Sequence, residues 1–304
     1  MTMSLRTSSV TQGPVAHQRG FIVVAVLWIL GALATLASIY AVYVVDTASA
    51  LSVHDDRLQA EGLMSAAVEL TAHQITALPP EQRPPRGAFT FRIGRATVSA
   101  QYYPEAARID LNQAPVELLA GLFAGLGARE AATLAERVVA WRQPPPDGQQ
   151  DNEAAAYRTA GRRYAPRGAS FPHVGELWLV MGLPDQVIER ALPYLTVHSG
   201  IPQVNVLVAA PEVLAALPGM TPDRLHSVLV ERAAAPQNGE ALLRLLGPAQ
   251  QHATVEPGRT IHVSIRINFE NGRQLTSEVV ILVGENDAEP FRILAWRDDL
   301  EHSR

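Results

Sequence analysis

A run of 25 residues without a charge, Phe21 to Val45 (FIVVAVLWILGALATLASIYAVYVV), constrains this chain more than any other feature. A bilayer core takes roughly 20 apolar residues as helix, so the run can span a membrane with some tilt. A polar leader carrying Arg6 and Arg19 precedes it, and Asp46, Asp55 and Asp56 follow, opposed only by Arg57. The positive-inside rule then puts the N-terminus in the cytoplasm and the remainder across the membrane. Ala48-Ser49-Ala50 has the A-x-A form of a signal-peptidase site. The run is nevertheless far longer than the roughly 7–15 residues of a secretory apolar region.

The helix is expected to continue past the membrane. Leu51, Leu58, Leu63, Ala66, Leu70 and Leu78 recur at near-helical spacing among Asp55, Arg57, Gln59, Glu61 and Glu69, until Pro79-Pro80 stops them. Pro84 to Gly87 reads as a turn, and the alternation from Phe89 to Tyr103 predicts two strands around Gly94. Ile109 to Trp141 reads as helical, residues 144–172 as a long loop, Val174–Tyr194 as helical but punctuated by Gly182-Leu183-Pro184, and Ala210–Leu246 as a further helical block. Near the end, Ile261–Ile267 alternates strictly, and Asn271-Gly272 signals a two-residue hairpin turn. Gln274–Val283 and Phe291–Trp296 follow as strands, which makes an antiparallel meander.

Composition narrows the chemistry. With 304 residues, 47% of them hydrophobic, the chain has ample material for a core. All 25 basic residues are arginine, so P-loop and lysine chemistry are excluded. The absence of cysteine excludes disulfides, thiol catalysis and cysteine-bound zinc. A net charge of −5 argues against a dedicated nucleic-acid binder. The nine histidines form no H-E-x-x-H pattern, no G-x-S-x-G elbow is present, and Asp55-Asp56 and Asp298-Asp299 read as exposed charge. No enzyme and no catalytic residue is expected. Trp141, Trp178 and Trp296 read as core or interface anchors.

Two segments look like a repeat. The first is Asp110-Leu111-Asn112-Gln113-Ala114-Pro115, followed by Gly125-Leu126-Gly127; the second is Val204-Asn205-Val206, then Ala210-Pro211, then Leu217-Pro218-Gly219-Met220. Each suits two short helices joined by a glycine turn, with a proline at or near the first helical position. This resembles the helix-hairpin-helix motif. In its DNA-binding examples, backbone amides and basic residues meet phosphate. Here Glu130 and Glu136 offset Arg129 and Arg137, and Asp223 offsets Arg224, so packed structural hairpins are the favoured reading.

Arg19-Gly20 stands immediately before the aromatic residue that opens the apolar run. This resembles a type IV prepilin leader, which a prepilin peptidase cuts after glycine while methylating the new N-terminus. The resemblance makes Gly20 and Phe21 the processing pair. Most pilins carry a glutamate five residues into the mature chain, where Ala25 stands here. An unpaired carboxylate inside a membrane is costly, so a subunit with no neighbour to pair with has reason to lose it.

The leader, Ala25, the Asp110–Pro115 segment, Phe171-Pro172-His173-Val174-Gly175-Glu176-Leu177, Pro193-Tyr194-Leu195-Thr196-Val197, the Leu217–Met220 element and a terminal strand ending near Trp296 follow one another in a specific order. Together they are similar to the minor pseudopilin K family of type II secretion. The resemblance implies an α+β, type IV pilin-like fold, with a long N-terminal transmembrane helix and an antiparallel sheet. It carries a large α-helical insertion containing helical hairpins. The implied organisation is a leader over 1–20, a transmembrane segment over 21–45, the rest of the pilin helix and first strands over 46–108, the insertion over 109–250, and C-terminal strands over 251–304.

The resemblance also implies a single-pass inner-membrane protein with a periplasmic body at the pseudopilus tip. Such a subunit nucleates assembly and supports export of folded proteins across the outer membrane. Its implied partners are the minor pseudopilins I and J, other pseudopilins, the inner-membrane platform and the prepilin peptidase. Some family members bind calcium in the loop that corresponds to Trp141–Tyr157. Asp147, Asp151 and Glu153 are the candidate ligands here, with Asn152 beside them, while Gln143 and Ala156 stand where the family commonly has aspartates. A solvated polar loop is the alternative. The second functional reading is a membrane-anchored helix-hairpin-helix DNA-binding protein, distinguished by steeply salt-dependent binding.

Overall fold

The computed structural model describes residues 18–79, 82–145, 151–236, 238–284 and 289–299. The chain divides into two compact units, Met1–Gln59 and Ala60–Arg304. Helix α1, Gln18–Thr76, supplies the described part of the first unit and continues into the second. Within the second unit α1 buries Ala60, Leu63, Met64, Ala67, Val68, Ala72 and Ile75. Their spacing of three and four residues makes one apolar stripe.

Strands β1 (Gly87–Ile93) and β2 (Ala96–Pro104) follow α1. Then come β3 (Ile109–Asp110), α2 (Val116–Gly125), α3 (Ala131–Arg142), α4 (Asn152–Thr159), α5 (Asp185–Ala191) and β4 (Leu195–Thr196). Next are β5 (Val204–Asn205), α6 (Pro211–Ala215), α7 (Pro222–Ala234), α8 (Gly239–Leu246) and β6 (Ala253–Thr254). The chain closes with β7 (Thr260–Phe269), β8 (Gln274–Val283) and β9 (Phe291–Asp299). The predicted strands are all present, as one antiparallel sheet in the order β1-β2-β7-β8-β9. Alternate residues of β2 and β7, among them Val98, Ala100, Val263, Ile265 and Ile267, join the α1 stripe in one buried cluster. The β7–β8 turn is a three-residue loop, Glu270-Asn271-Gly272, closed between Phe269 and Arg273 with Gly272 at φ 83°. A type I turn followed by a left-handed glycine replaces the two-residue turn that Asn271-Gly272 predicts.

Because β2 and β7 are hydrogen-bonded neighbours, the helical lobe leaves and returns at one place in the sheet. The lobe is a tandem repeat. In the first half β3 pairs in parallel with β4, and in the second β5 pairs in parallel with β6. Asp110 and Asn205 each accept a bond from the backbone two residues on, at Asn112 and Leu207. Arg142, ending α3, grips the carbonyls of Leu111 and Ala114, and Arg232, in the last turn of α7, grips those of Val206 and Ala209. Asp151 caps α4 through the amide of Ala154 at 2.7 Å, and Asn238 caps α8 through that of Ala241 at 3.2 Å. The halves meet where Gly121 of α2 faces the Ala216 carbonyl, with no room for a Cβ.

Several expectations need correction. Ile109-Asp110 is strand rather than helix, since its backbone bonds go to Leu195-Thr196. The expected loop over 144–172 contains α4 and is anchored by aromatic packing. Trp141 lies 5.9 Å from Tyr157, 6.3 Å from Tyr164 and 6.4 Å from Phe171, ring centre to ring centre. The helical stretch expected over Val174–Tyr194 begins as a 3-10 turn, Val174–Leu179, rather than an α-helix; the interruption expected at Gly182-Leu183-Pro184 is present, with Gly182 at φ 86°, and α5 follows it.

Candidate functional site

Three places bear on function. The first is the N-terminal half of α1. Ile22–Val44 has a mean hydropathy of 2.5 and contributes nothing buried. Every large apolar side chain in it is exposed, Trp28 at 76%. So continuous an apolar surface requires lipid or other apolar helices around it. Gly20 and Phe21 lie in the helical backbone of α1. Ala25 lies one turn further on, flanked by exposed Val24 and Val26.

The second is the loop before α4. Asp147 lies outside the described residues. The Asp151 carboxylate is engaged as the α4 cap. Glu153, in the first turn, keeps a buried Oε1 without a hydrogen-bond partner. Calcium takes about 6–8 oxygens. Among the described residues no three acidic or histidine side chains come together as a metal-holding group. These residues alone do not complete a calcium site.

The third place was not legible in the sequence: a polar seam where the lobe joins the sheet. Glu105, in a 3-10 turn directly after β2, is fully buried. Its Oε1 lies 3.0 Å from Nδ1 of His262 on β7 and 3.9 Å from the Arg108 guanidinium. Arg108 donates to the Tyr103 hydroxyl at 2.6 Å and stands over that ring. Burial pushes the Glu105 carboxyl up, but the His262 hydrogen bond and the Arg108 charge outweigh it and hold it below its usual value. Beside this cluster a cavity of about 670 Å³ separates the lobe from the open face of the sheet. The contacting residues are more than 150 positions apart, so no local motif announces them.

The segments that carry the family resemblance make contacts within the lobe. Asn112 pairs with the backbone of Phe171 through both its amide groups, and Asp110 accepts from Gly200 and Ser199. Glu176 is buried and clamped by Arg167. Of the arginines near the hairpin turns, Arg137, Arg142, Arg224 and Arg232 all hold backbone carbonyls of their own chain. The bonded nitrogens of these four arginines are thereby committed to the protein's own backbone.

An apolar N-terminal helix that fits a single-pass membrane anchor, an antiparallel sheet packed on the helix's later turns and a helical lobe inserted in that sheet make a pilin-like fold. Residues 99–200 match the family model described as Type II secretion system (T2SS), protein K. The chain is also similar to one in the crystal structure of the GspK-GspI-GspJ complex from the enterotoxigenic Escherichia coli Type 2 Secretion System. That likeness has a TM-score of 0.59 at 16% identity and covers 81% of this chain and 98% of that one, which speaks for the fold. No curated protein matches by sequence. Fold and family match together support the type II secretion minor pseudopilin K, and with it a minor pseudopilin role in type II secretion.

Proposed function

We propose that this chain is the tip subunit of a type II secretion pseudopilus, where it nucleates assembly and supports export of folded proteins. The observation that carries the reading is the helical lobe of residues 109–254, inserted between two paired strands of a pilin-type sheet. A lobe of that size takes the room a following subunit would need. Ala25 agrees with this, because a terminal subunit has no neighbour whose charge a glutamate would meet.

On this reading the minor pseudopilins I and J are its direct partners, and other pseudopilins and the inner-membrane platform its wider ones. The prepilin peptidase cuts between Gly20 and Phe21 and methylates Phe21. Arg6 and Arg19 before the apolar run and Asp46, Asp55 and Asp56 after it favour a cytoplasmic N-terminus and a periplasmic body. The mechanism is mechanical and uses no catalytic residue.

The test is the N-terminal mass of the protein from membranes with and without the peptidase. A chain beginning at methylated Phe21 only when the peptidase is present supports the reading. An uncut chain, or one beginning at Leu51, removes it. Ala25→Glu should leave secretion unchanged or lower it, as measured by exported protein in the medium. Stronger assembly in that variant would contradict the tip position.

A further inference from the structure

The lobe and the sheet keep separate apolar cores. The buried cluster running from Ile109 to Ala249 shares no residue with the one formed by α1, β2, β7 and β8. The joint between them is polar. Its centre is the buried Glu105 carboxylate, with one oxygen on His262 and the Thr196 hydroxyl of β4 in the lobe acting on the same group. Arg108 completes it, with one guanidinium nitrogen 3.3–3.4 Å from both ring nitrogens of His262. The cavity of about 670 Å³ lies against this cluster, with His173, Pro193 and His198 of the lobe on one wall and Val280, Ala295 and Arg297 of the sheet on the other.

Domains of one chain move relative to each other unless a large apolar interface locks them. Here the connector that leads into the lobe is pinned to β7 by an ionic contact, and an open volume lies between lobe and sheet beside it. The chain crosses the joint twice, at Glu105–Arg108 and between β6 and β7, where Gly258 takes a φ of 68°. A buried carboxylate stripped of one partner is strongly disfavoured, so the contact holds or releases as a whole.

We propose that the helical lobe is hinged on the pilin sheet and that the Glu105–His262–Arg108 cluster is the latch that sets its angle, with the adjoining cavity as the space for the movement. The latch is a positioning device for the lobe.

Because the chain lacks cysteine, a pair of spin labels can be placed without ambiguity. Arg190→Cys on α5 and Arg266→Cys on β7, in the full chain in detergent, report the lobe-to-sheet distance. Arg129→Cys with Arg190→Cys reports a distance within the lobe. With the latch intact the first pair should give one narrow distance. Glu105→Gln and His262→Gln should each add a second population above about 10%, while the second pair stays unchanged. If Glu105→Gln does not fold, His262→Gln decides. An unchanged lobe-to-sheet distance in the folded variants overturns the latch. So does an equal change in the pair within the lobe, which would mean that the lobe itself is distorted.

Discussion

Single residues in this protein owe their roles to what they touch rather than to their type. Asp151 shares its segment with other acids, and its carboxylate ends the α4 helix. Asp151→Ala should therefore cost about 1 kcal/mol, the usual loss for a removed cap, while Asp151→Asn keeps the acceptor and should remain close to the parent. Thermal unfolding without added calcium compares them, and equal losses in both variants would show that the negative charge matters more than the cap. Glu105 carries a pH signature. Its folded pKa is depressed, so its contribution to stability is complete above the ordinary carboxylate pKa of about 4.3 and is lost as pH falls through the folded value. Denaturant titrations between pH 7 and pH 3 should show a shallower acid loss in Glu105→Gln than in the parent. Parallel curves would mean that other carboxylates carry the acid sensitivity.

Among the elements, the two halves of the lobe repeat a plan that runs from short strand through Asx turn and helical hairpin to a capped helix and closing strand. The arginines in the last turns of the second helices, Arg142 and Arg232, stitch each hairpin to the loop that precedes it. The halves touch through α2 and α6, and the contact depends on Gly121 lacking a side chain. Gly121→Leu should push the halves apart and cost about 1–3 kcal/mol, the usual penalty for overfilling a packed contact. The helix-favouring gain of replacing glycine is at most about 1 kcal/mol and does not offset it. Chemical denaturation of the variant tests this, and unchanged stability would mean that the halves pack independently.

At the scale of the whole molecule, the division into two apolar cores predicts divided stability. Leu214, fully buried in the lobe, should cost about 2–5 kcal/mol when cut to alanine. Hydrogen exchange should then show the loss in the lobe amides, with β2, β7 and β8 keeping their protection. Equal loss in the sheet would show that lobe and sheet unfold as one. The same division frames the proposed tip role, since a lobe with its own core can be carried on a pilin-type sheet without disturbing the α1 stripe that packs against it.

The long apolar N-terminal helix, the sheet strands and the repeated helical hairpins were legible in the chain because each rests on short-range regularity. An apolar run needs only its own length, a strand its alternation, and a hairpin its proline and glycine at fixed spacing. Gly20 and Phe21 as a processing pair, and Ala25 as the position of the missing acid, are proposals that rest on the likeness of the leader to a prepilin. Folding decided whatever depends on distant partners. Ile109-Asp110 became strand because Leu195-Thr196 lay beside it, and the 144–172 segment gained order because Tyr157, Tyr164 and Phe171 met Trp141. Glu105 became a buried charge only when β7 brought His262 to it. Local patterns are set by neighbours along the chain, whereas the environment of a buried group is set by whatever the tertiary fold places against it.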